Sequence, residues 1–525
     1  MPSHHHRGSL RNALKVGAIL LLSVPGRAAP QAVGDALRAH LQAERVPNAL
    51  LVRVYQQRDY RPAWLGEQGP SPRAWELAQW IDGVRSDGLD PQDYQSEWFE
   101  GSLGPSFPAD SLAQLELRLT SAMLALGEDL ARGRINPAAA NSLWTRAPTT
   151  FDLVAAAGTV MDAARVPEAL AQLAPPAPQY ALLRSALARY REVAARGGRK
   201  TIARGDDLVP TLRARLAEEG DLPPGDSALE EGVRHFQARH GLATDGVVGP
   251  ATLAALNVPA AERVRQIELN LERWRWLPRE LGERYVMVNS AAFTLEVRDH
   301  GRRVMEMPVI VGRPDWPTPI ASGRITALVF SPVWDIPPAI ASQEILPLIR
   351  KDSTYIARHG ISVFRDSGKA LLPVDPVTVD WSAMTESTFT LRLKQAPGYD
   401  NPLGAVKTIF GSRFNVCMHD TPVRASFQER VRTFSHGCVR VARAAELATY
   451  LLDDSVRWTS DSVRKRMAVV KEEPVPLVKS VPGYLAYWTA WVDDDGSVEF
   501  RDDVYGWDRQ LAAALARRRR QSEPP

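Results

Sequence analysis

Only two cysteines, Cys417 and Cys438, occur in 525 residues. That excludes a disulfide framework and leaves no N-terminal cysteine for lipid attachment. Each thiol therefore needs its own explanation. An excess of one charge is also missing: 64 basic against 61 acidic residues leave a formal net charge of +3. Spread along the chain, that balance gives no reason to expect nucleic acid or another polyanion as partner. The one dense basic run, 517–520, reads as a solvated helix end or frayed tail, with contact to anionic lipid or wall polymer as its rival reading. Long apolar runs are absent too. The run at 16–24 is short for a bilayer span, follows Arg7, Arg11 and Lys15, and precedes the small residues Gly26, Ala28 and Ala29. This is the layout of a cleaved signal peptide over 1–29, so the protein is expected to be exported to the periplasm or cell envelope. Membrane contact is then confined to that segment.

What is present divides the chain. At 525 residues it is too long for one hydrophobic core, and 45% apolar with 24% charged residues is ordinary globular composition. The expected fold is α+β and multidomain. Residues 30–200 read as a helical scaffold, most clearly at 112–134, where Ala, Leu, Glu and Arg recur at helical spacing. Residues 205–260 reset into a small unit, with a helix at 229–240 and then the glycine-punctuated turn from Gly241 to Pro250. The segment Leu269-Asn270-Leu271-Glu272-Arg273-Trp274-Arg275-Trp276 reads as a helix whose tryptophans anchor a core. From 280 to 510 the pattern becomes β-rich, with strands expected at 285–288, 293–297, 304–311, 325–330 and 408–418. An insertion at 342–395 interrupts them, a late hairpin is expected across 493–496, and 511–525 reads as a basic tail.

Chemistry concentrates at Ser435-His436-Gly437-Cys438-Val439-Arg440. A lone cysteine is usually a small buried hydrophobe. Here two imidazoles, His419 and His436, are in reach of one thiol, and a neighbouring imidazolium stabilises a thiolate. Gly437 admits a substrate backbone, and the amides of Gly437 and Cys438 are candidate donors to an oxyanion, worth on the order of 3 kcal/mol when preorganised.

A His, about fifteen residues, and then Ser/Thr-His-Gly-Cys resembles the hallmark of the L,D-transpeptidase (YkuD-type) catalytic domain. Arg440, where that family usually has Asn, is similar to the large multidomain YcbB-like subgroup. Asn270 to Trp274, Val311-Gly312, Pro317-Thr318-Pro319, Asn401 to Gly404 and His419 to Pro422 resemble its landmarks. The 205–260 unit resembles a peptidoglycan-binding module through Phe236, Gln237, Gly241, Leu242, Asp245, Gly246, Val248 and Gly249, as a glycan binder or as a spacer. The resemblance implies cell-wall biogenesis without a cofactor. Cys438 is the expected nucleophile on a peptidoglycan tetrapeptide stem, releasing the terminal D-Ala, and a second stem's amine then forms a 3→3 cross-link. His419 is the expected base and proton donor, with the Asp420 main-chain carbonyl as third member. Peptidoglycan stem peptides and glycan are the partners, carbapenems covalent inhibitors, and the 342–395 insertion a cap over the site.

Some roles stay open. His436 shapes the oxyanion site or holds the loop together with Ser435; Arg440 binds a substrate carboxylate or braces the loop against Glu446. Cys417 stands where the subgroup has an aromatic residue, and either packs or pairs with Cys438. Rival readings are the same acyl-enzyme resolved by water or a D-amino acid, a papain-type protease, a zinc site from Cys417, His419, His436 and Cys438, and a non-catalytic wall-binding scaffold. The protease reading fails on chain order, since there the cysteine comes long before its histidine.

Overall fold

The computed structural model describes residues 30–43, 49–66, 69–95, 108–148, 151–203, 208–222 and 229–522. The expected signal peptide at 1–29 lies outside them.

The N-terminal unit is helical. Its central helix, Ala109–Arg132, buries Leu112, Leu115, Leu119, Met123, Leu126 and Leu130 along one stripe. Spacings of three and four put those side chains on a single face. The helix stops at Gly133 (φ 81°), where a Cβ would come within 2.6 Å of a Glu272 carboxylate oxygen. That close approach is the junction between this unit and the helix Ala260–Trp274. Glu272, fully buried, accepts from Arg134 N–H at 2.7 Å and Trp276 Nε1–H at 3.3 Å and pairs with Arg275 at 3.2 Å. A buried carboxylate is tolerable only with such partners. Trp274 and Trp276 are both buried beside it.

The small unit packs helices Leu208–Glu219, Leu229–Arg239 and Pro250–Leu256 around Leu212, Leu216, Val233, Phe236 and Leu256. Gln237 closes its turn: Nε2 donates to Asp245 Oδ1 at 2.7 Å and to Val247 O at 3.0 Å, while Oε1 accepts from Gly246 N–H at 2.8 Å. Most of that turn's motif residues thus hold the turn itself.

Nine strands form the main sheet: β1 (Arg284–Asn289), β2 (Thr294–Asp299), β3 (Arg302–Gly312), β4 (Ala321–Phe330), β5 (Val406–Gly411), β6 (Met418–His419), β7 (Thr433–Ser435), β8 (Val439–Val441) and β9 (Glu473–Ala486). Their order is β7-β3-β8-β6-β5-β4-β9-β1-β2, and a further β2–β3 pairing closes the sheet on itself. The strand expected at 408–418 is in fact two, β5 and β6, separated by a loop in which Ser412 Oγ–H bonds Phe414 O at 2.8 Å. Helices Ala444–Leu452 and Ser460–Met467 share the sheet's apolar core.

Between β4 and β5 sits a separate four-stranded antiparallel sheet, Trp334–Ile336, Leu391–Gln395, Ile361–Asp366 and Leu371–Val374, with its own apolar core. The inserted unit therefore takes in Trp334–Ile336, ahead of residue 342. The late hairpin runs between Ala490–Val492 and Val498–Phe500, because residues 483–486 belong to β9. The basic run is not a free tail. It lies on the helix Trp507–Ser522, and Arg518 and Arg519 pair with Asp129 and Asp90 of the N-terminal unit, each at 2.8 Å. Among the described residues, no helix is long and apolar enough to cross a membrane.

Candidate active site

Two short parallel strands build the site. β6 pairs with β8, Met418 opposite Val439 and His419 opposite Arg440. The ladder runs one residue further back: Val439 N–H donates to Cys417 O at 2.9 Å, and Cys417 N–H donates to Cys438 Sγ at 3.3 Å. The two sulfurs stand 3.5 Å apart. The ligand atoms of Cys417, His419 and Cys438 all lie within 4.8 Å of one another.

His419 is buried, with Nδ1 2.6 Å from Asp420 O. A carbonyl only accepts, so Nδ1 carries the hydrogen and Nε2 keeps a lone pair. Burial pushes the imidazole down to about 4, against the Asp420 carbonyl, and the nearby Arg440 pushes the same way. That depression favours the neutral imidazole at physiological pH. Asp420 is fixed in turn: its Oδ2 accepts from Ala405 N–H at 2.9 Å, and its Oδ1 pairs with Arg424. Gly404 (φ 61°) makes room, since a Cβ there would meet the Asp420 side chain at 2.6 Å.

The thiol's environment corrects one expectation. Bonding from the Cys417 thiol lowers Cys438 to about 7, with help from the Cys417 amide, Lys407 and Arg440 and against burial. His419 is not among the groups that lower it. The same sulfur contact, together with burial, pushes Cys417 well up. Lys407, on β5 opposite His419, is a cation the sequence pattern did not single out.

The loop before Cys438 is held from within. Gly437 (φ 105°) donates its N–H to Ser435 Oγ at 3.2 Å, and Ser435 Oγ–H donates to Cys438 O. Gly437 O accepts from Thr318 Oγ1–H at 2.8 Å, and that hydroxyl also accepts from Gly312 N–H at 2.9 Å. The Gly437 amide is therefore occupied, and of the two proposed oxyanion donors only the Cys438 amide lacks a partner among the described residues. His436 is engaged by the inserted unit: Nε2 lies 2.6 Å from Glu344 Oε1, and Trp316 packs edge-on at 5.2 Å. Glu344 belongs to the inserted unit and also pairs with Arg313 at 3.0 Å. Despite a burial cost, the His436 and Arg313 bonds hold its carboxyl below the usual range. With His436 so engaged, the four-residue zinc set does not form; Cys417, His419 and Cys438 remain a three-ligand group.

Arg440 does not brace against Glu446, which pairs with Arg443 at 3.0 Å. Among the described residues Arg440 has no carboxylate partner, and its Nε is buried without a hydrogen bond. It lines a cavity of about 380 Å³ together with Cys438 and His419 and with Trp334, Ile345, Tyr355 and His359 of the inserted unit. An apolar-walled cleft with a thiol, a base and an unpaired cation suits a nucleophilic attack on a substrate bearing a carboxylate.

Compared with known families, residues 283–470 match the L,D-transpeptidase catalytic domain, residues 205–256 a "Putative peptidoglycan binding domain" and residues 49–187 a scaffold domain. A relative from Haemophilus influenzae named "Putative L,D-transpeptidase" is 31% identical over 250 residues, covering 48% of this chain and 49% of the relative. The chain spans about half the length of that curated relative.

Proposed function

We propose that this chain, whose residues 283–470 match the L,D-transpeptidase catalytic domain and 205–256 a peptidoglycan-binding domain, cross-links peptidoglycan through an acyl-enzyme on Cys438. The observation that carries this reading is the cluster of Cys438, neutral His419 and the Asp420 carbonyl at a cleft.

Cys438 Sγ attacks the carbonyl carbon of the third residue of a tetrapeptide stem as its thiol proton passes to His419 Nε2. The tetrahedral oxyanion receives the Cys438 amide. His419 then protonates the departing nitrogen, the C–N bond breaks, and D-Ala leaves. Arg440 pairs with the D-Ala carboxylate and so selects a stem with a free terminus. A side-chain amine of a second stem attacks the thioester, gives its proton to His419 and expels the thiolate. The product is a 3→3 cross-link. The inserted unit screens the thioester from water.

Water or a D-amino acid in place of the amine gives hydrolysis or exchange by the same acyl-enzyme, and a non-catalytic wall-binding role is the reading this one displaces. The small unit serves as the wall anchor, and the place of action is the periplasm or cell wall. Incubation with a disaccharide-tetrapeptide, followed by mass spectrometry, tests the proposal. Acylated Cys438, free D-Ala and dimeric product support it. A folded protein that neither acylates nor releases D-Ala would refute it, and covalent trapping by a carbapenem is a quicker first assay.

A further inference from the structure

The mechanism above uses one thiol, and the chain has two. Cys417 and Cys438 are both reduced and half-buried, their sulfurs 3.5 Å apart. Each stands one residue before a paired position of β6 and β8. Adjacent strands are spaced about 4.8 Å apart, and a disulfide accepts Cα separations of roughly 4.4–6.8 Å. In a parallel ladder, residues in register point to the same face. Bringing the sulfurs to bonding distance, about 2.05 Å, then takes side-chain rotation and little else.

We propose that Cys417 is a resolving thiol: it closes a reversible disulfide onto Cys438, which switches the site off and protects the nucleophile from irreversible oxidation. Three features converge on this. Cys438 lines the open cleft and meets a small oxidant first. Cys417 also donates its N–H to the Cys438 sulfur, so the two are already docked. Lys407 and Arg440 both favour a Cys438 thiolate, which makes that sulfur the reactive one.

With a peroxide as oxidant the steps balance. The Cys438 thiolate attacks a peroxide oxygen, the O–O bond breaks, and a sulfenic acid and hydroxide form. The Cys417 sulfur then attacks the Cys438 sulfur, the S–O bond breaks, and the thiol proton leaves with the hydroxyl as water. Two thiols have lost two electrons and the peroxide has gained them. A reducing dithiol reverses the bond by exchange and is itself oxidised. The effect on activity rests on the reading of Cys438 as nucleophile; the bond itself does not.

The test treats the full-length, chelator-washed protein with hydrogen peroxide, counts free thiols under denaturing conditions and maps peptides by mass spectrometry. The expected result is loss of both thiols, a Cys417–Cys438 cross-linked peptide, loss of acylation by the tetrapeptide and full recovery with dithiothreitol. In Cys417→Ser the same dose should carry Cys438 to sulfinic acid, with no recovery. Two free thiols after treatment, or sulfinic Cys438 beside a free Cys417 in the wild type, would overturn the proposal. Because thiol counting needs no substrate, the two readings fail separately. A protein that forms the cross-link but never acylates when reduced overturns the functional reading alone. One that acylates but never cross-links overturns the redox pair alone.

Discussion

Glu344 Oε1 and His436 Nε2 lie 2.6 Å apart, so the inserted unit is tied to the residue two places before the nucleophile. Ninety-two residues separate the two in sequence. The bond fixes where the cap sits over the cleft. Both groups are partly exposed, so breaking it should cost only about 1 kcal/mol, roughly fivefold in a rate or binding constant. Glu344→Ala is expected to raise the ratio of hydrolysis to cross-linking by that order, read from product ratios. His436→Ala should do less, since Glu344→Ala also removes the Arg313 pair, and the double variant should add little to Glu344→Ala.

The acidity of Cys438 sets the pH response. Its thiol is depressed to about 7, so the thiolate is present above that pH and lost below it. The rate of alkylation by iodoacetamide should therefore climb through a midpoint near 7, short of the usual thiol value near 8.5. Cys417→Ala removes the sulfur donor and should move the midpoint upward. An unmoved midpoint in that variant would mean that Cys417 does not stabilise the thiolate.

His419, held neutral down to about pH 4, should act as base without contributing a titration between pH 5 and 8. His419→Ala should lower acylation by about 10²- to 10⁴-fold, the usual range for a positioned proton-transfer group. The alkylation midpoint of Cys438 should move far less than in Cys417→Ala. A large upward move would restore the ion-pair picture, in which an imidazolium stabilises the thiolate.

Arg440 lines the cleft and has no carboxylate partner among the described residues, which leaves it available to a substrate carboxylate. Arg440→Gln should raise KM for the tetrapeptide about 10- to 100-fold, as expected for one charged hydrogen-bonded pair of roughly 1.5–3 kcal/mol. A stem amidated at its C-terminus should show little difference between wild type and variant. Equal losses for both stems would point to a bracing role instead.

Gly404→Ala should be costly beyond its size. Its φ of 61° disfavours any side chain, and a Cβ would collide with Asp420, whose carbonyl holds His419. A stability loss of about 1–3 kcal/mol is expected from denaturant unfolding. Acylation should fall even under conditions where the variant is folded.

Part of this site was legible in the sequence because its neighbours in space are neighbours in motif. Two short segments, at 417–420 and 435–440, hold the thiol, the imidazole and the carbonyl, and one parallel strand pair joins them. Glu344 was invisible for the opposite reason: it arrives from an inserted unit whose placement no local pattern encodes. Lys407 lay just outside the expected 408–418 strand, and its relevance comes from pairing opposite His419, a register that period-2 patterning leaves open. Arg440 was offered Glu446 on sequence proximity, but Arg443 is one helical turn from Glu446 and takes it. The amide of Gly437 was offered to an oxyanion because glycine permits close approach, yet Ser435 already occupies it. Strands β1 to β4 were legible from β-branched runs, whereas the three-residue β7 and β8 were not expected, and the closure of β2 onto β3 is a long-range pairing.

The clasp of Arg518 and Arg519 on Asp129 and Asp90 joins the last helix of the chain to its first unit. Arg518 and Asp129 stand 389 residues apart in sequence, so the N-terminal helices stay unclasped until that distant helix has folded against them. Trimming a few residues from the C-terminus should therefore loosen helices several hundred positions upstream while the sheet between them stays intact.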